Sequence, residues 1–416
     1  MRVLISGAGI AGPTLAWFLA KTGARVTVVE KSRTLLAQGQ NIDVNHSALK
    51  VAQMMGLMDQ IKRFNTTERG TQFIDPKGRP FAPFPVKEGH LSPTSEFEIL
   101  RGDLATVLFE ATKSLMNVNY LLGTTVNQVI SNDVDDGVVK VQLSDGNLQE
   151  YDLLVIADGQ WSKLRQQCFS PECVNIIDKD MYVAYFTVPR LSSDNDWWNI
   201  YSALGSRVVT TRPDPHGTIR AMLSLMPCSD AQRDAWQEAS RKDKQAQKDL
   251  LKRDFKDAGW QAPRLLHAVD ETPDFYLQAI QQIRMSKWSI SRIVCLGDAA
   301  FAPTPLTGAG ASLAILGSYV LAGELSMLSP SEHLSVGLER YESKFRRFVE
   351  ETQQVPSFLP AIGHPKTAGK RWLLQALVST MSKILAMPWL AHRFSGTQDE
   401  DFPLPHYPKF ENLSSK

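Results

Sequence analysis

A buried strand that runs directly into a glycine-spaced turn and a helix leaves few folds open. Residues 3–12 read Val-Leu-Ile-Ser-Gly7-Ala-Gly9-Ile10-Ala11-Gly12. The next apolar run, Arg25-Val-Thr-Val-Val-Glu30, ends on a carboxylate 18 residues past the last glycine. A G-x-G-x-x-G turn between strand and helix, followed by an acid, is what a dinucleotide demands of a chain. Gly7 permits the sharp bend, Gly9 admits a pyrophosphate to the backbone, and Gly12 lets the helix pack on the strand. The free N–H groups of the helix start then face the anion, and Glu30 accepts from ribose hydroxyls. Three glycines alone also make an ordinary turn; strand, helix and acid in register distinguish the two.

Composition bounds the rest. At 416 residues the chain has room for two or three domains. Its 43% hydrophobic and 21% charged residues and net charge of +1 are globular and offer nucleic acid no electrostatic attraction. Cys168, Cys173, Cys228 and Cys295 fit neither a disulfide framework nor a zinc site, and the eight histidines show no metal-ligand spacing. The strand follows Met1-Arg2 at once, so no secretory leader is expected and the setting is expected to be cytoplasmic. The apolar stretch from Trp372 to Leu390 is interrupted by Gln375 and Lys383. It reads as an amphipathic helix packed on the body rather than a stable membrane insertion, with a membrane-surface helix as the other reading.

The chain pattern predicts a β-α-β start, a helix over 46–57, hairpin strands over 70–100 and a helix over 104–115. Strands follow over 118–122, 126–131 and 138–143, with turns at Asp135-Asp136-Gly137 and Asp145-Gly146, and Tyr151–Ala157 is a buried strand. From Met181 to Met226 the strands turn aromatic and β-branched, predicting a second, mostly antiparallel sheet. Residues 230–257 read as one long mixed-charge helix with a solvated face. A strand pair at 275–285 and 293–296 precedes a long apolar helix over about 310–328, and helices over 330–354 and 369–390 finish the chain.

Three distant segments each stand where a buried strand ends: Gly7–Gly12, Asp158–Arg165 and Gly297–Ser312. Ligands of open α/β sheets bind beyond the carboxyl ends of strands, so one elongated cofactor reaches all three. The trio resembles the flavin-dependent aromatic hydroxylases typified by para-hydroxybenzoate hydroxylase, nearest the branch of tetracycline-inactivating monooxygenases. The likeness runs to about residue 328 and includes Tyr276–Trp288 leading into Gly297-Asp298.

The resemblance implies an α/β fold: a Rossmann-like FAD-binding domain, a mixed or antiparallel-sheet substrate domain, and C-terminal helices. The FAD domain is expected over 1–69, 101–177 and 286–328, the substrate sheet over 70–100 and 178–285, and the helices over 329–396. A loosely ordered tail is expected over 397–416. The implied cofactor is tightly bound, non-covalent FAD, held by Gly7, Gly9, Ile10, Ala11, Gly12, Glu30 and Lys31 at its adenosine end. Asp158, Gly159 and Arg165 match the family's D-G motif, tied to both FAD and NAD(P)H. Arg101 matches an arginine near the pyrophosphate or ribityl region. Gly297 and Asp298 would hold the ribityl chain, and Pro303 and Pro305 would shape the loop beside the ring. Gly308, Ala309, Gly310 and Ala311 would turn backbone N–H groups toward the flavin. On the residues alone, Gly-Asp is also a helix cap, Arg165 a helix C-terminal cap, and Arg101 a surface arginine.

Departures accompany the likeness. Phe301 stands where many members have histidine, and Ser312 and Gly317-Ser318 replace an asparagine and acidic pair. The stretch Ala37–Asn41 carries Gln38 and Gln40 rather than an arginine that reaches the mobile flavin. There is one G-x-G-x-x-G, so NADPH or NADH is expected to visit a groove rather than own a domain.

The implied activity is an FAD monooxygenase that uses NAD(P)H and O2 to hydroxylate an electron-rich aromatic or polycyclic molecule through a flavin C4a-hydroperoxide. No side chain is assigned a catalytic role and no metal site is expected. Tyr182, Tyr185, Phe186, Trp197, Trp198 and Tyr201 are expected to roof the flavin, though core packing also accounts for them. A monomer or weak homo-oligomer is expected. A flavin dehydrogenase or reductase, and a catalytically silent flavoprotein, are the alternatives.

Overall fold

The computed structural model describes residues 1–35, 39–86, 97–132, 137–356, 358–386 and 401–411. The expected features at Ala37 and Gln38, at Asp135-Asp136, and at 387–390 lie outside these residues. One sheet has six strands in the order Ser289–Ile290, Ile293–Cys295, Leu153–Ile156, Arg2–Ser6, Arg25–Glu30, Val118–Leu122. All its pairings are parallel except the first. Val3, Leu4, Ile5 and Leu153–Ile156 are fully buried, as strands of a parallel sheet covered on both faces must be. The helices Ala11–Lys21 and Gly310–Ser326 pack together, and Ser318 Oγ donates to the Ala11 carbonyl at 2.9 Å. The second of these is buried on every side from Ala311 on, which marks an interior helix rather than an amphipathic one.

The other large sheet has seven strands in the order Tyr276–Met285, Val174–Pro189, Thr218–Leu225, Arg207–Pro213, Trp198–Ala203, Gly70–Ile74, Pro80–Pro85. Only the Trp198–Ala203 and Gly70–Ile74 pair is parallel. Side chains alternate between its faces. Tyr182, Phe186, Tyr201 and Leu223 face the helices Asp230–Ala239, Lys244–Phe255 and Ala262–Ala268, while Met181, Val183 and Tyr185 cluster on the opposite face.

Three expectations are corrected. Residues 230–257 are two helices, not one, capped by Ser229 and Asp243, whose side chains accept from Gln232 N and Ala246 N. They are not simply solvated: Trp236, Leu251 and Phe255 are buried under the sheet, a narrow apolar stripe hidden within a charged composition. The strands Tyr276–Met285 and Ile293–Cys295 are not a pair; each belongs to a different sheet. The tail is not loose over 401–411. Phe402, Tyr407 and Phe410 are buried in the main core, and the Tyr407 hydroxyl donates to Glu324 Oε1 at 2.6 Å. Asp401 accepts from Ser47 N at 2.8 Å. Aromatic residues scattered among prolines carry no periodicity, so the sequence gives no sign of this docking.

Candidate active site

Four neighbouring parallel strands end side by side, and each delivers one part of the site. Arg2–Ser6 leads to Gly7, Arg25–Glu30 ends on Glu30, Leu153–Ile156 leads to Asp158, and Ile293–Cys295 leads to Asp298. The ladder continues one step past the strands through Gly7 N to Val29 O, Ala157 N to Ser6 O and Leu296 N to Ile156 O, at 2.8, 2.8 and 2.9 Å. The order reverses at the first strand, the switch point where doubly wound sheets open a crevice.

Gly7 has φ +113°, and a Cβ there would lie 2.4 Å from the Ala157 carbonyl oxygen. Gly12 lies so close to the turn that its Cβ would stand 2.0 Å from Gly7 O. Glu30 is anchored into the same turn: its carboxylate accepts from Ala8 N at 3.0 Å and Ser32 N at 2.9 Å. Each oxygen keeps a further lone pair for a ribose hydroxyl. Arg101, first residue of the helix Arg101–Glu110, lies with Nη2 3.6 Å from where a Gly9 Cβ would be. Its guanidinium therefore faces the backbone of the glycine turn.

Asp298 lines the cavity. Burial raises its carboxyl above the ordinary range, opposed by Arg101, and no hydrogen bond from a described residue satisfies it. A half-buried carboxylate that faces the cavity without a partner among the described residues fits a ligand that brings hydroxyls, so the site suits a ribityl chain. Asp158 is also raised by burial, with Ser162, Arg165 and Lys31 among the groups that oppose this.

Lys31, Gly159, Pro305 and the turn Gly7, Gly9, Ile10, Ala11 also line the cavity, whereas Gly12, Gly297 and Ala309 stand behind it. Arg165 likewise does not reach it, contrary to expectation. It is 1% exposed and donates to Ala299 O at 2.8 Å and Gln160 O at 2.9 Å, so it pins two cavity loops together from behind. The expected row of N–H groups is shorter than predicted. Gly308 N donates to Pro305 O at 3.1 Å and Ala309 N to Thr307 Oγ1 at 3.2 Å. Gly310 and Ala311, the first helical residues, line the cavity with amides that helix geometry leaves free.

The opposite wall is the seven-stranded sheet. Of the six aromatics expected to form it, Tyr185 and Trp198 line the cavity. Tyr182, Phe186 and Tyr201 point the other way and stack near Trp236, Phe275 and Trp260. Alternation decides this: Met181, Val183 and Tyr185 share one face, Tyr182 and Phe186 the other.

Two polar groups on this wall are absent from the sequence reading. Arg212 stacks on Trp198, 4.1 Å from the ring centroid, and is bound by Glu68 at 2.8 Å and by Glu98. Ser224 Oγ lies 2.8 Å from His364 Nε2, whose Nδ1 lies 2.8 Å from the Pro360 carbonyl. A carbonyl only accepts, so Nδ1 carries the proton and Ser224 donates to Nε2; burial keeps this imidazole neutral by lowering its proton affinity. Both pairs join residues more than 100 positions apart, and no local spacing announces them.

A family profile described as an FAD binding domain matches residues 1–355. The flavin-dependent monooxygenase eupH of a Phoma species is 38% identical over 337 residues, covering 78% of this chain and 77% of its own. Monooxygenase CTB7 of Cercospora beticola is 33% identical over 419 residues, covering 98% of this chain and 97% of its own. Among solved structures, tetracycline destructase Tet(55) superposes with a TM-score of 0.76 at 26% identity, covering 97% of this chain and 98% of its own. Klebsiella pneumoniae HpxO, solved with FAD and uric acid, shares the fold with a TM-score of 0.69 at 20% identity, over 95% and 97% of the two chains. With the nucleotide turn, the partnerless Asp298 and the helix start gathered at one cavity, and with relatives matching along nearly its full length, the chain belongs to the FAD-dependent monooxygenases of the aromatic-hydroxylase family.

Proposed function

We propose that this monooxygenase hydroxylates an electron-rich aromatic or polycyclic small molecule, taking electrons from NADPH or NADH and oxygen from O2. The observation that carries the reading is the size and lining of the cavity. It encloses about 1560 Å³ between the nucleotide cradle and the sheet wall. Pockets for one drug-sized ligand run to about 300–1,000 Å³, so a second flat molecule fits beside an extended cofactor. The likeness to a tetracycline destructase supports a polycyclic substrate.

We assign FAD holding to Gly7, Gly9, Glu30, Arg101, Asp158, Asp298 and Gly310, with Arg165 positioning the loops. Bound FAD supplies the electron transfer and oxygen chemistry. The chain supplies the setting. The Gly310 and Ala311 amides, at the positive end of a buried helix, stabilise negative charge beside them. Val183, Ile200, Val208, Met222 and Ile280 make the sheet wall of the cavity apolar. Arg212, held by Glu68 and Glu98, offers a fixed cation to an oxygenated substrate edge. Neither nucleophile nor metal is needed. A single nucleotide turn supports a nicotinamide that visits and leaves. We also infer a monomer or weakly associating protein with no segment inserted across a membrane; no described helix is long and apolar enough to cross one.

Turnover with isotopically labelled O2 tests the reading. NADPH oxidation should be slow alone, release hydrogen peroxide, and accelerate with a matching polycyclic phenol, which should gain one labelled oxygen atom. Label arriving from water, or equal turnover with another electron acceptor and no oxygen, would replace hydroxylation with dehydrogenase or reductase chemistry.

A further inference from the structure

We propose that the outer face of the helix Ala368–Leu385, together with the adjoining helix Leu359–Gly363, docks reversibly on an anionic bilayer surface. The inner face of the longer helix is already committed. Leu374 and Val378 pack on Ala82 and Phe84, and Ser382 Oγ donates to the Pro83 carbonyl at 2.7 Å. On the outer face Leu373, Leu377 and Met381 recur every fourth residue and are 63%, 45% and 46% exposed, with Trp372 beside them at 69%. Phe358 and Ile362, just before, are 62% and 41% exposed. Single exposed apolar residues need no explanation, whereas the run Leu373, Leu377 and Met381 along one face of a single helix marks an interaction surface.

Charge identifies the partner. From Thr352 to Gln398 the chain has no aspartate or glutamate, while Lys366, Lys370, Arg371 and Lys383 fall in and beside the two helices. None of the last three forms an ion pair with a described residue. An apolar strip on a helix whose exposed charges, Lys370 and Lys383, are both cations, with a tryptophan at its margin, matches an interface of acyl chains under anionic headgroups. The helix lies on such a surface rather than spanning it, because its inner face belongs to the protein. Gly363, which ends the shorter helix, and His364 after it line the active cavity, so a docked enzyme presents that cavity wall next to a reservoir of lipophilic molecules. The docking does not depend on which substrate is hydroxylated.

Flotation of the full-length, FAD-loaded protein with lipid vesicles tests it, using phosphatidylcholine alone and equal parts phosphatidylcholine and phosphatidylserine. The wild type should float with the anionic vesicles, remain largely unbound with the neutral ones, and be released by high salt. Lys370→Glu/Lys383→Glu should lower the bound fraction about tenfold or more. Leu373→Ser/Leu377→Ser should do the same while the protein stays yellow and folded. Wild type unbound to both vesicles, or either double variant binding as wild type does, overturns the proposal. So does a dimer, seen by light scattering, that Leu373→Ser/Leu377→Ser disperses in a protein that does not bind vesicles, since the face then belongs to a second copy.

Discussion

Arg165 reaches across the back of the cavity to the carbonyl of Ala299, 134 positions along the chain, and holds it at 2.8 Å. The same guanidinium holds Gln160 O, so one buried cation sets the spacing between the Asp158 and Asp298 loops. Arg165→Met should weaken FAD binding about ten- to a hundred-fold although the residue touches no part of the cavity, because buried acceptors lose a charged donor. Fluorescence titration of apoprotein with FAD measures this. An unchanged dissociation constant would show that the loops hold their places unaided.

Asp298→Ala should also weaken FAD binding, by removing a charge-assisted hydrogen bond worth roughly 1.5–3 kcal/mol, or about ten- to a hundred-fold. Thermal stability of the apoprotein should stay the same or rise, since a half-buried carboxyl with no hydrogen-bond partner among the described residues disappears. A large drop in apoprotein stability would recast Asp298 as a helix cap.

Gly9 and Gly12 should respond differently to the same change. A Cβ at Gly9 meets nothing nearer than Arg101 Nη2 at 3.6 Å, whereas one at Gly12 meets Gly7 O at 2.0 Å. Gly9→Val should therefore yield folded, colourless protein, while Gly12→Val should fail to fold. Circular dichroism and absorbance of the two purified variants make the comparison.

That contrast shows what can be read without coordinates. The turn at Gly7–Gly12, the acid at Glu30 and the loops at Asp158 and Asp298 are legible because each is a local pattern of strand, turn and residue type. The wall opposite is not. Whether Tyr182 or Tyr185 faces the cavity depends on the register of Val174–Pro189 against its neighbours, and one step reverses it. Arg212 with Glu68 and Glu98, and Ser224 with His364, depend on tertiary contacts that leave no spacing to detect. Arg165 was legible as important but not as a clamp, because a motif does not reveal which way its arginine points.

Glu98 should give the stability a pH dependence of unusual sign for a carboxylate. Burial pushes it up to about 7 from 4.5, against the opposing pull of Arg212 and with the help of Glu68 and Asp43. Between those values the folded protein keeps a proton that the unfolded chain has released. Its contribution is thus full below about 4.5 and fades as pH rises to about 7. Glu98→Gln should flatten the wild-type decline across this window, a difference of roughly 1–3 kcal/mol in urea unfolding. Parallel curves for the two proteins would mean that Glu98 is ionised throughout.

The docked tail should be worth a large part of the fold's stability. The Tyr407 ring lies over Gly323, where a Cβ would fall 2.1 Å from it. Tyr407→Ala should cost roughly 3–5 kcal/mol by emptying a buried aromatic site. Gly323→Val should cost a similar amount by evicting the ring, and the double variant should cost less than the sum. Strict additivity in chemical unfolding would place the two residues in separate clusters.

The position of that tail has a consequence for how the protein is made. Phe18, in the first helix, packs against Tyr319 and Phe410, and the strand Arg2–Ser6 needs Leu153–Ile156 beside it. Residues 2–30 are made long before Phe402, Tyr407 and Phe410 but cannot complete their own core without them. Nucleotide capture should therefore wait for residues 402–410, and a nascent chain stalled before residue 402 should expose the apolar underside of its own cofactor domain to chaperones.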